Sequence, residues 1–194
     1  MDDLDELYST WKKYFYGENT PVDKEKAVKL CKIAVDKGHV NSIVSYAKML
    51  FLGNGLPQNV QESAKYFKIA ADKGNVESMF FYSNIMRGEY GIPANMAESA
   101  KYCKMAADGG DVNAMLNYGI LLDQGNGVDA NMKESAKYFK MAADNGSVDG
   151  MYNYANMPSK GEGVQADLKE SARYYKMAAD KGEPDSISCY AAIL

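Results

Sequence analysis

The chain repeats itself every 36 residues, and this spacing limits what it can fold into more than any other feature. The segment Ala-Ala-Asp-Lys-Gly and its relatives end at Gly38, Gly74, Gly110, Gly146 and Gly182. In register with those glycines recur Lys32, Lys68, Lys104, Lys140 and Lys176, and also Asp36, Asp72, Asp108, Asp144 and Asp180. A period of this length held without slippage marks a stack of supersecondary units, none of which can bury its apolar face alone.

Each unit reads as two helices. For the second, helix B, Asp23, Asn59, Asn95, Asn131 and Asp167 are good N-caps, and Glu62, Glu98, Glu134 and Glu170 stand where a capping box needs them. Apolar or small residues at 60, 64, 67 and 71 and their equivalents share one helical face, and the repeated glycines suit the left-handed position that ends a helix. Just beyond, Asn75, Asp111 and Ser147 can cap helix A of the next unit, whose buried seam runs through 79, 82, 83 and 86. Tyrosine fills the second seam place in five units, and the third is small at Ala47, Ser83, Gly119 and Ala155, as a close helix approach requires. Glycine-bearing loops such as Gly-Asn-Gly-Val-Asp-Ala-Asn then return the chain. The expected fold is all-α, a single domain of helix-pair units at 3–38, 39–74, 75–110, 111–146 and 147–182, with a partial unit at 183–194.

The stretch from Tyr154 to Gly182, with its glycine loop, its paired aromatics Tyr174 and Tyr175 and its Lys-x-Ala-Ala run, resembles the Sel-one-like repeat, a relative of the tetratricopeptide repeat. The resemblance covers nearly the whole chain. It implies a right-handed α/α superhelical solenoid, with helix A lining a concave groove, that acts as an adaptor gathering other proteins. The first unit departs from the pattern: Asn19 replaces the second loop glycine, Leu30 the tyrosine, and Trp11 fills the small place, which is expected to mark an N-terminal cap.

Positions identical in every unit serve the common fold, while those that differ have been free to specialise. The exposed strip of helix B, at 61, 65, 68 and 72, is nearly invariant and reads either as a solvated face with Lys-to-Asp pairs at i,i+4 or as a basic ladder for an acidic partner. The exposed strip of helix A varies. Its candidate partner-binding residues are Asn41, Ser45 and Lys48, then Phe81 and Asn84, then Asn113, Asn117 and Ile120, then Asn153 and Asn156. Asparagine is a mediocre helix former, so something other than propensity placed it here. A carboxamide both donates and accepts, which suits it to hold an extended peptide's main chain, or merely to face water. Phe81, with Phe51 near it, either anchors a ligand or fills contacts between units.

Other features narrow the function. A net charge of −4, from 22 basic and 26 acidic residues, gives no pull toward nucleic acid or a membrane surface. The acidic N-terminal residues are unlike a secretory signal and no apolar run reaches the length of a membrane span, so a cytoplasmic chain is expected. Three cysteines, odd in number and widely spaced, should be free thiols; Cys31 and Cys103 stand in the core aromatic's place. His39 alone, read as a polar helix cap, starves any zinc site or proton relay, so neither catalysis nor cofactor nor metal is expected. Met79, Met115 and Met151 read as core fillers, and the Gly-x-Gly loops as turns, not phosphate cradles. The leading expectation is a scaffold that binds a protein or peptide on helix A; the alternative is a structural component of a cytoskeletal-type assembly. Two local expectations remain. Pro158 should end or kink its helix by about Met157. The face of Ile187, Tyr190, Ala191 and Leu194 packs inward and leaves an apolar flank behind it, so the C-terminal end should associate with a partner or continue in a longer natural chain.

Overall fold

The computed structural model describes residues 3–193. Over these residues it is wholly helical, as the repeat pattern requires. The chain divides into two compact units, Met1–Pro93 and Ala94–Leu194. The first holds α1 (Asp3–Tyr16), α2 (Lys24–Asp36), α3 (Val40–Leu52), α4 (Val60–Asp72) and α5 (Val76–Ile85). The second holds α6 (Met96–Asp108), α7 (Val112–Gln124), α8 (Met132–Asp144), α9 (Val148–Lys160), α10 (Leu168–Ala179) and α11 (Pro184–Ile193). Within each unit, every helix packs on the next in chain order. Among the described residues no helix is long and apolar enough to cross a membrane.

The recurring Ala-Ala-Asp-Lys-Gly segment is a Schellman ending. Gly74 N–H donates to the Ala71 carbonyl and Asn75 N–H to that of Ala70, and the pairs at Gly110/Asp111 and Gly146/Ser147 repeat the pattern. The residue that closes helix B also opens helix A, because the side chains of Asn75, Asp111 and Ser147 accept from the backbone N–H three residues on. His39 departs from the cap expected of it. Its ring makes no bond to the helix backbone. Instead Nδ1 lies 2.8 Å from Ser42 Oγ and Nε2 3.3 Å from Asp5 in α1.

At the start of helix B the capping box closes on one side only. Asn59 and Asn131 accept from the N–H of Glu62 and Glu134. Their own backbone N–H groups, which a full box would give to glutamate, donate instead to Leu50 and Leu122 in helix A. The same cross-link bears on Pro158, which does not end α9: the helix runs unbroken to Lys160. Proline forfeits one donor to the Tyr154 carbonyl, but what the fold uses at this place is a carbonyl, and Pro158 O accepts from Asp167 N–H at 2.9 Å. The turn beyond is held by Gly161 and Glu162, whose N–H groups both donate to Met157 O.

Met79, Met115 and Met151 are buried as expected. Trp11, the bulky residue in the first unit's small place, belongs to the core. It is 2% exposed, in one cluster with Cys31, Ala27 and Tyr46. Size is balanced between α1 and α2 and between α7 and α8: the bulky Trp11 is set against the small Cys31, whereas at the equivalent places Gly119 leaves no room for a Cβ, which would fall 2.7 Å from the Phe139 ring. A buried serine ties the same contact, Ser63 to Ala47 O, Ser135 to Gly119 O and Ser171 to Ala155 O. One helix is irregular. Helix α5 has 10 residues where α3, α7 and α9 have 13, because its glycine is Gly88 and Glu89 stands where Gly53, Gly125 and Gly161 close the others. Leu194, part of the C-terminal face considered above, lies outside the described residues.

Candidate functional site

The varied strip of helix A is half in, half out of solvent. Asn41 and Asn113, in the first turns of α3 and α7, are exposed; Ser45, Lys48, Phe81, Asn84, Asn117, Ile120, Asn153 and Asn156 are half-buried. Tight caps fix each helix by its backbone, so the middle of the strip is presented on a rigid support.

In the second unit the strip lines a cleft of ≈ 440 Å³ between α7 and α9. Ile120, Asn153 and Asn156 meet there with Phe139, Tyr152 and Lys160. The two asparagines differ. Asn156 is spent inside the protein, donating to Tyr152 O at 3.1 Å and accepting from Tyr175 OH at 2.7 Å. The Asn153 carboxamide, like that of Asn117 one repeat earlier in α7, makes no side-chain hydrogen bond among the described residues. A free donor and acceptor beside apolar Ile120 and Phe139 can hold a peptide backbone while its side chain enters the cleft.

The first unit has its own cleft, ≈ 270 Å³ between α1 and α3, into which Ser45 and Lys48 face with Trp11, Phe15, Tyr16 and Leu52. Ser45 Oγ donates to Asn41 O. Lys48 reaches Glu77 at 2.6 Å and lies 5.7 Å from the centroid of Phe81. Phe81 fills contacts between hairpins: it stacks on Phe67 at 4.9 Å and meets Phe51 edge-on at 6.2 Å.

Helix B carries a network that comparison of the units pointed to without revealing. The i,i+4 pairs are present, with Lys104 Nζ 2.9 Å from Asp108 and Lys176 Nζ 2.7 Å from Asp180. The repeated lysine also reaches the tyrosine of the following helix B, Lys32 to Tyr66 at 2.7 Å, Lys104 to Tyr138 at 2.8 Å and Lys140 to Tyr174 at 3.0 Å. Tyr138 and Tyr174 donate onward to Asp108 and Asp144. Burial, then the bond to Asp108, pushes the Tyr138 phenol up to about 12. The hydrogen bond from Lys140 holds the Glu170 carboxyl below its ordinary range against the opposing effect of burial. The near-invariance of Lys and Tyr was the available signal, but their 34-residue separation becomes a contact only once helices stack.

Among the described residues no group of His, Cys, Asp and Glu could hold a metal ion. All three cysteines are free.

Comparison with known proteins agrees with this architecture. The Sel1 repeat family profile matches residues 14–39, 42–75, 76–111, 112–147 and 148–183. Comparison of the sequence with curated proteins finds no match. Among solved structures, a protective antigen of uropathogenic Escherichia coli with an SLR fold is similar at 26% identity and a TM-score of 0.90, covering 98% of this chain and 41% of that one. The chain therefore spans less than half the length of that antigen. A Sel1 repeat protein from Oxalobacter formigenes is 22% identical with a TM-score of 0.76, over 96% of this chain and 76% of that one. Cysteine-rich protein B of Helicobacter pylori is 18% identical with a TM-score of 0.53, over 68% of this chain and 94% of that one.

Proposed function

Because the chain belongs to the Sel1 repeat family, whose members are generally protein-interaction scaffolds, we propose that it is a non-catalytic scaffold binding a peptide or partner domain on its helix A faces. The observation that carries this reading is the α7/α9 cleft, where the unengaged Asn153 amide stands beside Ile120 and Phe139. Polar and apolar groups converge there without the nucleophile-and-base pairing that chemistry would need. Three free thiols fit a reducing, cytoplasmic setting. The rival reading, an assembly built through the outer face, is less favoured because Lys32, Lys104 and Lys140 of that face already serve internal bonds.

The test is to select peptide binders of the full chain by display and to measure their affinity for variants. Asn117→Ala and Asn153→Ala should weaken capture at least tenfold while leaving stability unchanged or slightly improved, since alanine is the better helix former. Lys65→Ala and Lys133→Ala, on exposed helix B positions, should change little. Binding lost with the lysines and kept with the asparagines would transfer the function to the outer face.

A further inference from the structure

We propose that the α1/α3 cleft of the first unit receives an acidic peptide presenting one bulky apolar side chain; this rests on the scaffold reading and specifies the chemistry of one of its sites. The walls are Tyr8, Trp11, Phe15, Tyr16, Met49 and Leu52. Tyr16 and Leu52 are 61% and 68% exposed, the two most exposed large apolar side chains among the described residues. At ≈ 270 Å³ the cleft falls just below the roughly 300–1,000 Å³ of small-molecule sites, so it suits one or two side chains, not a cofactor.

Charge sets the flanking residues of that peptide. Lys12 on α1 and Lys48 on α3 line the cleft, and no carboxylate does. Among the described residues Lys12 makes no ion pair; its ammonium lies 5.3 Å from the Tyr8 ring centroid, and its helical neighbours four residues away are Tyr8 and Tyr16. Two of the three acids of α1 are engaged elsewhere, Asp3 with Lys37 and Asp5 with His39, and the third, Glu6, does not line the cleft. Lys48 holds Glu77, but a pair this exposed is weak and a peptide carboxylate can exchange into it. By contrast the α7/α9 cleft carries Asp123 and Glu162 against Lys160, the opposite balance, and so serves as an internal control.

Trp11 is the sole tryptophan and lies in the cleft wall, so its emission reports occupancy directly. The full chain is titrated with acetyl-Asp-Asp-Phe-Asp-Asp-amide, which has no tryptophan of its own. A saturable change in Trp11 emission is expected. Replacing the peptide's phenylalanine by serine should weaken binding at least tenfold, as should the Lys12→Glu/Lys48→Glu double variant, whose fold is checked by circular dichroism; Lys133→Ala, on an exposed helix B position, should leave it unchanged. No binding of the acidic peptide, equal binding of Lys-Lys-Phe-Lys-Lys, or full binding by the double variant would each overturn the inference. Display-selected peptides that depend on Asn153 would still leave the scaffold reading standing, whereas selection of no peptide sensitive to either cleft would remove both.

Discussion

Gly146 and Gly163 both hold left-handed backbone, with φ of 93° and 69°, yet a side chain at each meets different surroundings. A Cβ on Gly146 would find open space, whereas one on Gly163 would fall 2.2 Å from the carbonyl oxygen of Met132 at the start of α8. Asparagine tolerates the conformation itself, as Asn19 shows at φ 58° in the loop position equivalent to Gly163. Gly146→Asn should therefore cost no more than about 1 kcal/mol, and Gly163→Asn well over ~2 kcal/mol, because backbone must move to admit it. Urea denaturation separates the two; equal losses would mean that conformation alone keeps both glycines. The turn role of these loop glycines was legible in the sequence. The close approach was not, since it needs a tertiary neighbour, just as the fit of Trp11 against Cys31 needed the facing helix. Burial pushes the Cys31 thiol up to about 12, so in native protein the half-buried Cys189 should react with a thiol reagent well before Cys31 or Cys103. All three should react once the unreduced chain is unfolded, and a shortfall would reveal a disulfide.

At the scale of the helix, the boundaries readable from caps and glycines agree closely with those formed outside α5, and at Pro158 and the capping boxes a tertiary hydrogen bond outranks a local rule. Pro158 broke a propensity rule while preserving the carbonyl that Asp167 needs. Pro158→Leu, which matches Leu50 and Leu122 at the equivalent places, should restore the donor to Tyr154 and raise the melting temperature by several degrees, for a gain of about 1 kcal/mol. An unchanged or lower melting temperature would show that the proline ring is better packed than leucine. The contact between α8 and α10 through Lys140 gives a second test. Lys140→Met removes the partner of Glu170, Tyr174 and Tyr154, at a cost of about 1 kcal/mol for groups still a third open to water. Since the folded Glu170 carboxyl is held below its unfolded value, its share of stability is present above that value, near 4.3, and is lost as pH falls through the folded one. The gap between native and Lys140→Met stability should accordingly be largest near neutral pH and narrow on acidification below about pH 4. A gap independent of pH would assign the loss to packing of the lysine stem alone.

Over the whole molecule, the 36-residue period reads as one continuous array, within which the chain forms two compact units, Met1–Pro93 and Ala94–Leu194. The division falls in the loop after α5, where Gly88 precedes its expected place by one residue and the helix stops short. A one-residue displacement of a glycine leaves the period intact, so periodicity could not register it. The single-domain reading nonetheless makes a prediction about energetics. In a repeat array, stability is the sum of weak units and the interfaces between neighbours, so folding is cooperative as long as the interfaces outweigh what each unit lacks. Trp11 reports only on Met1–Pro93, while far-ultraviolet circular dichroism reports on every helix. If the chain unfolds as one domain, the two signals share a midpoint in denaturant, and Gly163→Asn, which lies in Ala94–Leu194, lowers the Trp11 midpoint as much as the helical one. A Trp11 transition that stays put while the circular dichroism curve splits would show that the two units fold independently, and that a site in one can be loosened without disturbing a site in the other.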